Sequence, residues 1–235
     1  MKIQKIEILS HNLIETEQFY VGVLGFEINE KTETIISFVV GGSILAFRKT
    51  DTLKPVYHFA FTVPCHQLYE AQKWGSGKVA FIAFENNPVI DFPNWNAKSL
   101  YFLDNNGNVL EFIARFDLET SRDKPFDPSA IVCISEIAFV TDHVNALAEK
   151  FISDYQFTYF DKQIQRKDFS VLGDDNGLLI LVDSDRNWFP TSIKAQNFWM
   201  EITLEDKGNS IVILNNRSTN NPITIPQNSI RFLKG

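Results

Sequence analysis

Residues 2–10 alternate between oily and polar positions, with Ile6 and Ile8 on one side and Lys5, Glu7 and Leu9 on the other. A period of two is the mark of a strand with one buried face. Over residues 12–24 the period changes: Leu13, Phe19, Tyr20, Val23 and Leu24 fall on one stripe of a helix. Asn12 is the candidate cap, because its short side chain can accept from free N–H groups of the first turn. Glu15 and Glu17 favour the positive end of that helix, and Gly25 can close it in the left-handed conformation. Three β-rich runs complete the unit at 26–29, 34–40 and 43–48, with Gly41-Gly42 as a tight hairpin turn.

The same order then returns. Residues 57–63 read as a strand with Phe59, Phe61 and Val63 on one face, 65–74 as a helix, and 79–84, 100–103 and 109–113 as strands. Gly42-Ser-Ile-Leu-Ala-Phe47 aligns with Gly107-Asn-Val-Leu-Glu-Phe112, so the unit is duplicated. Residues 116–130 are charged, contain Pro125 and Pro128, and read as an interdomain linker. Beyond them the unit starts again: a strand at 131–140, a helix capped by Asp142 and running to about 153, and strands at 157–160, 168–172 and 178–182. A fourth copy begins with a strand at 198–204, but residues 205–209 leave no room for a helix, and strands alone follow at 211–214, 223–225 and 229–233. The pattern predicts an α+β chain divided into 1–115, a linker at 116–130, and 131–235, the fourth unit lacking its helix.

Hydrophobic residues make up 44% and charged residues 22% of the 235, which excludes a disordered chain. The 21 Phe supply aromatic surface to fill cores and line pockets. A net charge of −7 without a Lys/Arg stripe excludes a nucleic-acid partner. Cys65 and Cys133 form no CxxC pattern and read as reduced thiols. The polar, alternating N-terminus is not a signal peptide, and no apolar run nears the roughly 18 residues of a spanning helix. The expected setting is therefore cytoplasmic, away from membranes.

Two motifs carry a resemblance. Asn12-Leu-Ile-Glu-Thr-Glu-Gln-Phe-Tyr20 followed by Leu24-Gly25-Phe26 resembles the "DL…FY…LGF" helix of the vicinal-oxygen-chelate superfamily, which includes glyoxalase I, bleomycin- and fosfomycin-resistance proteins and extradiol dioxygenases. Asp104-Asn-Asn-Gly107-Asn108-Val-Leu-Glu111 resembles its "DPxGNxxE" turn and last strand. The likeness covers 1–115 well, 131–182 by pattern and through Gly177-Leu-Leu-Ile-Leu-Val182, and the tail weakly. It implies tandem βαβββ units, paired into curled sheets with helices outside and a site within. Ile6, Ile8, Phe59 and Phe61 would pack on helices; Lys5, Glu7, His58, Ala60 and Thr62 would face the cleft.

The family's metal positions, carried onto the first two units, are Lys5, Ala46, His58 and Glu111. His58 and Glu111 are ligand types that suit Zn, Fe, Mn or Ni. Ala46 offers no ligand atom, and a protonated Lys5 would repel a divalent ion. Two unit charges ~4 Å apart interact by ~4 kcal/mol at an effective dielectric of ~20, and a divalent ion doubles that. Lys5 is expected to pair with Glu111 instead. Glu7 and His11 could rescue a metal, though His11 reads as a surface residue beyond the strand. In the last two units the equivalent positions are Glu136, Leu181, Trp199 and Arg231; Glu136 should pair with Arg231, and Trp199 should fill the cleft. The 183–190 segment adds Arg186 and Trp188 as candidate clamps, the guanidinium for a carboxylate and the indole for a ring.

Two functions follow from different classes. The broken ligand set and the aromatic content favour a metal-free small-molecule binder of the bleomycin-resistance kind, its cleft often completed by a homodimer partner. The alternative is a metalloenzyme, a lyase or ring-cleaving dioxygenase acting on vicinal oxygens, with the ion on His58 and Glu111 and protons handled by Lys5 or Glu7.

Overall fold

The computed structural model describes residues 1–216. The strands expected at 223–225 and 229–233, and Arg231 with them, lie outside the described residues.

The first unit holds β1 (Lys2–Ser10), α1 (Leu13–Glu17) running into a π-helical turn at Gln18–Val23, β2 (Glu27–Lys31), β3 (Ile35–Val40) and β4 (Ser43–Lys49). The second holds β5 (His58–Thr62), α2 (Leu68–Gly75), β6 (Val89–Phe92), β7 (Ala97–Leu103) and β8 (Val109–Arg115). The third holds β9 (Cys133–Thr141), α3 (Val144–Tyr155), β10 (Phe169–Asp174) and β11 (Gly177–Asp183). Of the fourth, the described residues hold the hairpin β12 (Met200–Asp206) and β13 (Asn209–Asn215), turning at Lys207-Gly208, both with positive φ. No helix separates these strands, as the short 205–209 spacing requires. No helix among the described residues is long and apolar enough to cross a membrane.

Among the described residues thirteen strands form two curled sheets, β13-β12-β1-β4-β3-β2 and β10-β11-β9-β5-β8-β7-β6. Within a unit the first strand lies parallel to the last: β1 to β4, β5 to β8, β9 to β11. Its other edge is free, and the partner it takes departs from the expected pairing of neighbouring units. β5 pairs antiparallel with β9, and β1 with β12. The second unit thus joins the third and the first joins the fourth, so both sheets cross the 116–130 segment.

Side-chain alternation holds. Ile6, Ile8, Phe59 and Phe61 are fully buried in the main core, against which the helices pack: α1 on β3 and β4, α2 on β7 and β8, α3 on β9, β10 and β11. The 116–130 segment is tied down: Phe126 is buried, its ring 5.7 Å from Trp74 and 6.1 Å from Phe112. Asn12 caps α1, accepting from the amides of Ile14 and Glu15 at 3.1 and 3.2 Å. Asp142 does not cap α3; His143 occupies that position, and Asp142 accepts from the Ser184 hydroxyl. The run at 79–84 makes only isolated bridges. Turn residues Glu85 and Asn86, both with positive φ, interrupt it, and the edge strand forms later as β6. The run at 157–160 is likewise a single bridge, Tyr159 to Leu172.

Candidate metal centre and cleft

The concave face of the seven-stranded sheet is lined by Tyr101, Val109, Ala138, Val140, Ile180 and Val182. At its centre Ala60 of β5 lies between Glu111 of β8 and Glu136 of β9, opposite both in register. His58 stands two residues earlier on the same face. One donor atom from each of His58, Glu111 and Glu136 lies within 4.8 Å of the others.

Each member is held from behind. His58 Nδ1 lies 2.9 Å from the Val109 carbonyl, which can only accept, so Nδ1 carries the proton and Nε2 presents a lone pair. Burial holds the His58 pKa below its ordinary value, against the pull of Glu136 and the Val109 bond, so the ring is neutral, the form that ligates metals. Its Nε2 is 3.6 Å from Glu111 Oε2. Glu111 Oε1 accepts from the Ser99 hydroxyl, and Tyr101 donates to the same carboxylate. Burial, then the charge of Glu136, pushes the Glu111 pKa up to about 8 against those bonds and Arg115. Glu136 Oε1 accepts from Nη2 of Arg115, a guanidinium that is 0% exposed. Arg115 Nη1 donates to Ser135 at 3.1 Å, and Nε faces Asp175 at 3.7 Å.

A cavity of about 330 Å³ opens above this floor. His58 lies 5.8 Å from the Trp188 ring and 6.1 Å from the Tyr101 ring; Phe92, Trp95, Phe169 and Phe189 line the walls. Arg186 also lines it, donating to Asp168 and lying over Phe169 at 5.2 Å.

The structure brings His58 and Glu111 together as expected but does not bring Lys5 or Glu7 to them. Lys5 and Glu7 stand on β1 in the other sheet, where Lys5 Nζ meets Glu7 Oε2 at 2.8 Å and Arg48 binds Oε1. The expected Lys5–Glu111 pair is replaced by Lys5–Glu7, because the first unit pairs with the fourth. Trp199 is also absent from this cleft; its ring stacks under Arg48 at 5.5 Å. Arg186 and Trp188 both line the cleft, Arg186 with its guanidinium tied to Asp168. Glu136 pairs with Arg115, which sequence reasoning missed, since a guanidinium at the end of an oily strand carries no motif. Leu181 is one residue out of register: it faces the main core, and Ile180, opposite Ala138, takes the fourth position of the cleft.

The six-stranded sheet repeats the frame with a broken ligand set, Glu201 alone keeping a carboxylate, in the place of Glu136. Glu7 lies opposite Ala46 and Glu201, as Ala60 lies opposite Glu111 and Glu136. Lys5 thus stands where His58 stands, and Ala46 where Glu111 stands. Burial opposes ionisation of Glu7, but Lys5 and Arg48 outweigh it and hold its carboxyl below the usual range.

This architecture is a glyoxalase-like fold of tandem units in curled sheets. Among solved structures the chain is similar to a Bacillus subtilis protein whose name places it provisionally among the dioxygenases, at 18% identity over 77% of this chain and a TM-score of 0.57. It covers 63% of that protein's length, less than two thirds. A glyoxalase I variant from Zea mays matches at 11% identity over 77% of this chain and 68% of its own, with a TM-score of 0.53. No family model and no curated protein matches the sequence.

Proposed function

We propose that the chain is a metal-dependent enzyme of the glyoxalase/dioxygenase kind, with a divalent ion held by His58, Glu111 and Glu136 beneath an aromatic cleft. The observation that carries this is the convergence of three donor atoms within 4.8 Å, with His58 Nε2 turned to them by its Nδ1 bond. One imidazole and two carboxylates suit Mn, Fe, Zn or Ni. Ser99 and Tyr101 orient the Glu111 carboxylate, and Arg115 takes one oxygen of Glu136, the outer hydrogen bonds that hold such ligands in place. The repulsion expected from Lys5 does not arise, since Lys5 is bound to Glu7 on the other sheet. A bound cation would polarise an oxygen of a small-molecule substrate as a Lewis acid. The residues around it position that substrate: the aromatic walls exclude water, and Tyr101 holds Glu111 in place.

One observation favours a metal-free small-molecule binder instead. Arg115 and a proton on Glu111 already balance the two buried carboxylates. Elemental analysis of the purified protein separates the two. Stoichiometric Zn, Fe, Mn or Ni is expected, falling to background in His58→Ala and Glu136→Gln. If wild-type protein incubated with each metal in turn retains none after desalting, the metal reading is wrong and the binder stands.

A further inference from the structure

We infer that the cleft takes a planar aromatic ligand carrying an anionic group, the ring held by the aromatic walls and the anion by Arg166 at the rim. This rests on the proposed cleft, but not on which ion its floor holds.

The argument begins with how each cation around the cavity is used. Arg115 is fully buried behind Glu136, out of a ligand's reach. Lys162 is divided between Asp117 and Asp175, and Arg186 is bound to Asp168. Arg166 also lines the cavity and is exposed. The Arg186 bond holds the Asp168 carboxyl low and the charge of Arg166 helps, yet the Arg166 guanidinium makes no hydrogen bond or close ion pair among the described residues. Its backbone is fixed nonetheless. Arg166 and Phe169 form a β-bridge, the Arg166 amide donating to the Phe169 carbonyl at 3.0 Å. That bridge sets the guanidinium, with its donors unused, beside a cleft-lining ring. A guanidinium so placed recognises a carboxylate with a forked pair of donors.

The opposite end of the cavity points the same way. The floor carries Glu111 and Glu136, and its one cation, Arg115, is already taken by Glu136, so without a metal the floor offers an anionic group no partner. Between floor and rim the space is flanked by His58, Tyr101 and Trp188. A volume of about 330 Å³ suits one ring or two fused rings. Asp91 also reaches the rim, from β6, so the anion is assigned to the Arg166 side.

Isothermal titration calorimetry with 2-naphthoate and its neutral counterpart 2-naphthylmethanol tests this. Wild type, Arg166→Gln and Arg166→Lys would each be measured metal-free and Mn(II)-loaded. Naphthoate is expected to bind wild type about tenfold more tightly than the alcohol, the scale of one charge-assisted contact. Arg166→Gln should erase that preference and leave the alcohol unchanged, while Arg166→Lys keeps most of it. Equal affinity for the two probes, equal weakening of both in Arg166→Gln, or binding of neither overturns the inference. A preference seen only with Mn(II) and surviving Arg166→Gln places the anion on the metal, which overturns the inference while sparing the metal reading. An Arg166-dependent preference in protein that retains no metal does the reverse.

Discussion

Glu111 and His58 are buried side by side, and burial moves both toward their neutral forms, with opposite consequences for stability. The Glu111 pKa is raised to about 8, so the folded state keeps a proton that the unfolded chain releases near the ordinary carboxylate value. Stability from this group is present at low pH and is lost as pH rises toward 8. The His58 pKa is lowered, so the folded state refuses a proton that the unfolded chain takes up below about 6.5. Stability from that group grows as pH rises to about 6.5 and is flat above. The two effects oppose each other below 6.5, and only the Glu111 loss operates between about 6.5 and 8. Metal-free protein should therefore lose about 2 kcal/mol across that interval, at ~1.4 kcal/mol per pH unit. Urea unfolding at several pH values would show it. Glu111→Gln should flatten the slope, since its amide oxygen can still accept from Ser99. Added Mn or Zn should reverse it, because a metal competes with the proton for Glu111. A slope unchanged in Glu111→Gln would mean that the ionising group lies elsewhere.

Among the elements, the 41–42 turn joins the two sheets through the backbone. Gly41 has φ +56°, and a Cβ there would lie 2.2 Å from the Val132 carbonyl oxygen. The Gly42 amide donates to that same oxygen at 2.8 Å, and Ser43 Oγ accepts from the Ile134 amide at 3.0 Å while donating to Ile3. Gly41→Ala must displace backbone, so it should cost about 3 kcal/mol or more in chemical denaturation. At Gly22, in the π-helical turn, a Cβ would meet nothing within 4 Å, and Ala should be neutral or slightly stabilising. Equal effects would show that the 41–42 turn does not bind the sheets together. The hairpin itself was legible, as were the faces of β1 and β5, because a glycine pair and a period of two are local signals. Register was less so. Along Gly177–Val182 the residues are nearly all aliphatic, so nothing in their polarity distinguishes Ile180 from Leu181, and one slip exchanges cleft for core. Least legible was the site's third member. The sequence places Glu136 at a position equivalent to the family's metal positions, but its meeting with His58 depends on which free strand edge β5 takes, a contact between residues some 80 apart that leaves no trace in either segment.

At the scale of the whole molecule that edge choice has a consequence that can be measured. His58 and Glu111 lie before the 116–130 segment and Glu136 after it, so the candidate centre is built from both halves of the chain. Cutting at the segment would strip β9 from β5 and β12 from β1, leaving two unpaired edges in a fragment 1–115. Each half also loses apolar burial, since the main core is continuous from Ile6 through Phe59 to Phe139 and Ile202. Fragments 1–115 and 131–235 expressed separately should each lack near-UV circular dichroism and a cooperative thermal transition. Expressed together they should associate one to one, recover both signals, and retain metal where the intact chain does. The informative alternative is a 1–115 fragment that melts cooperatively alone. As a monomer by light scattering, it would show that the first two units make a cup of their own and that the interleaved sheets are not required. As a homodimer, it would show that the free edge of β5 accepts a second copy in place of β9, and metal content would then report whether Glu136 is dispensable, since that fragment lacks it.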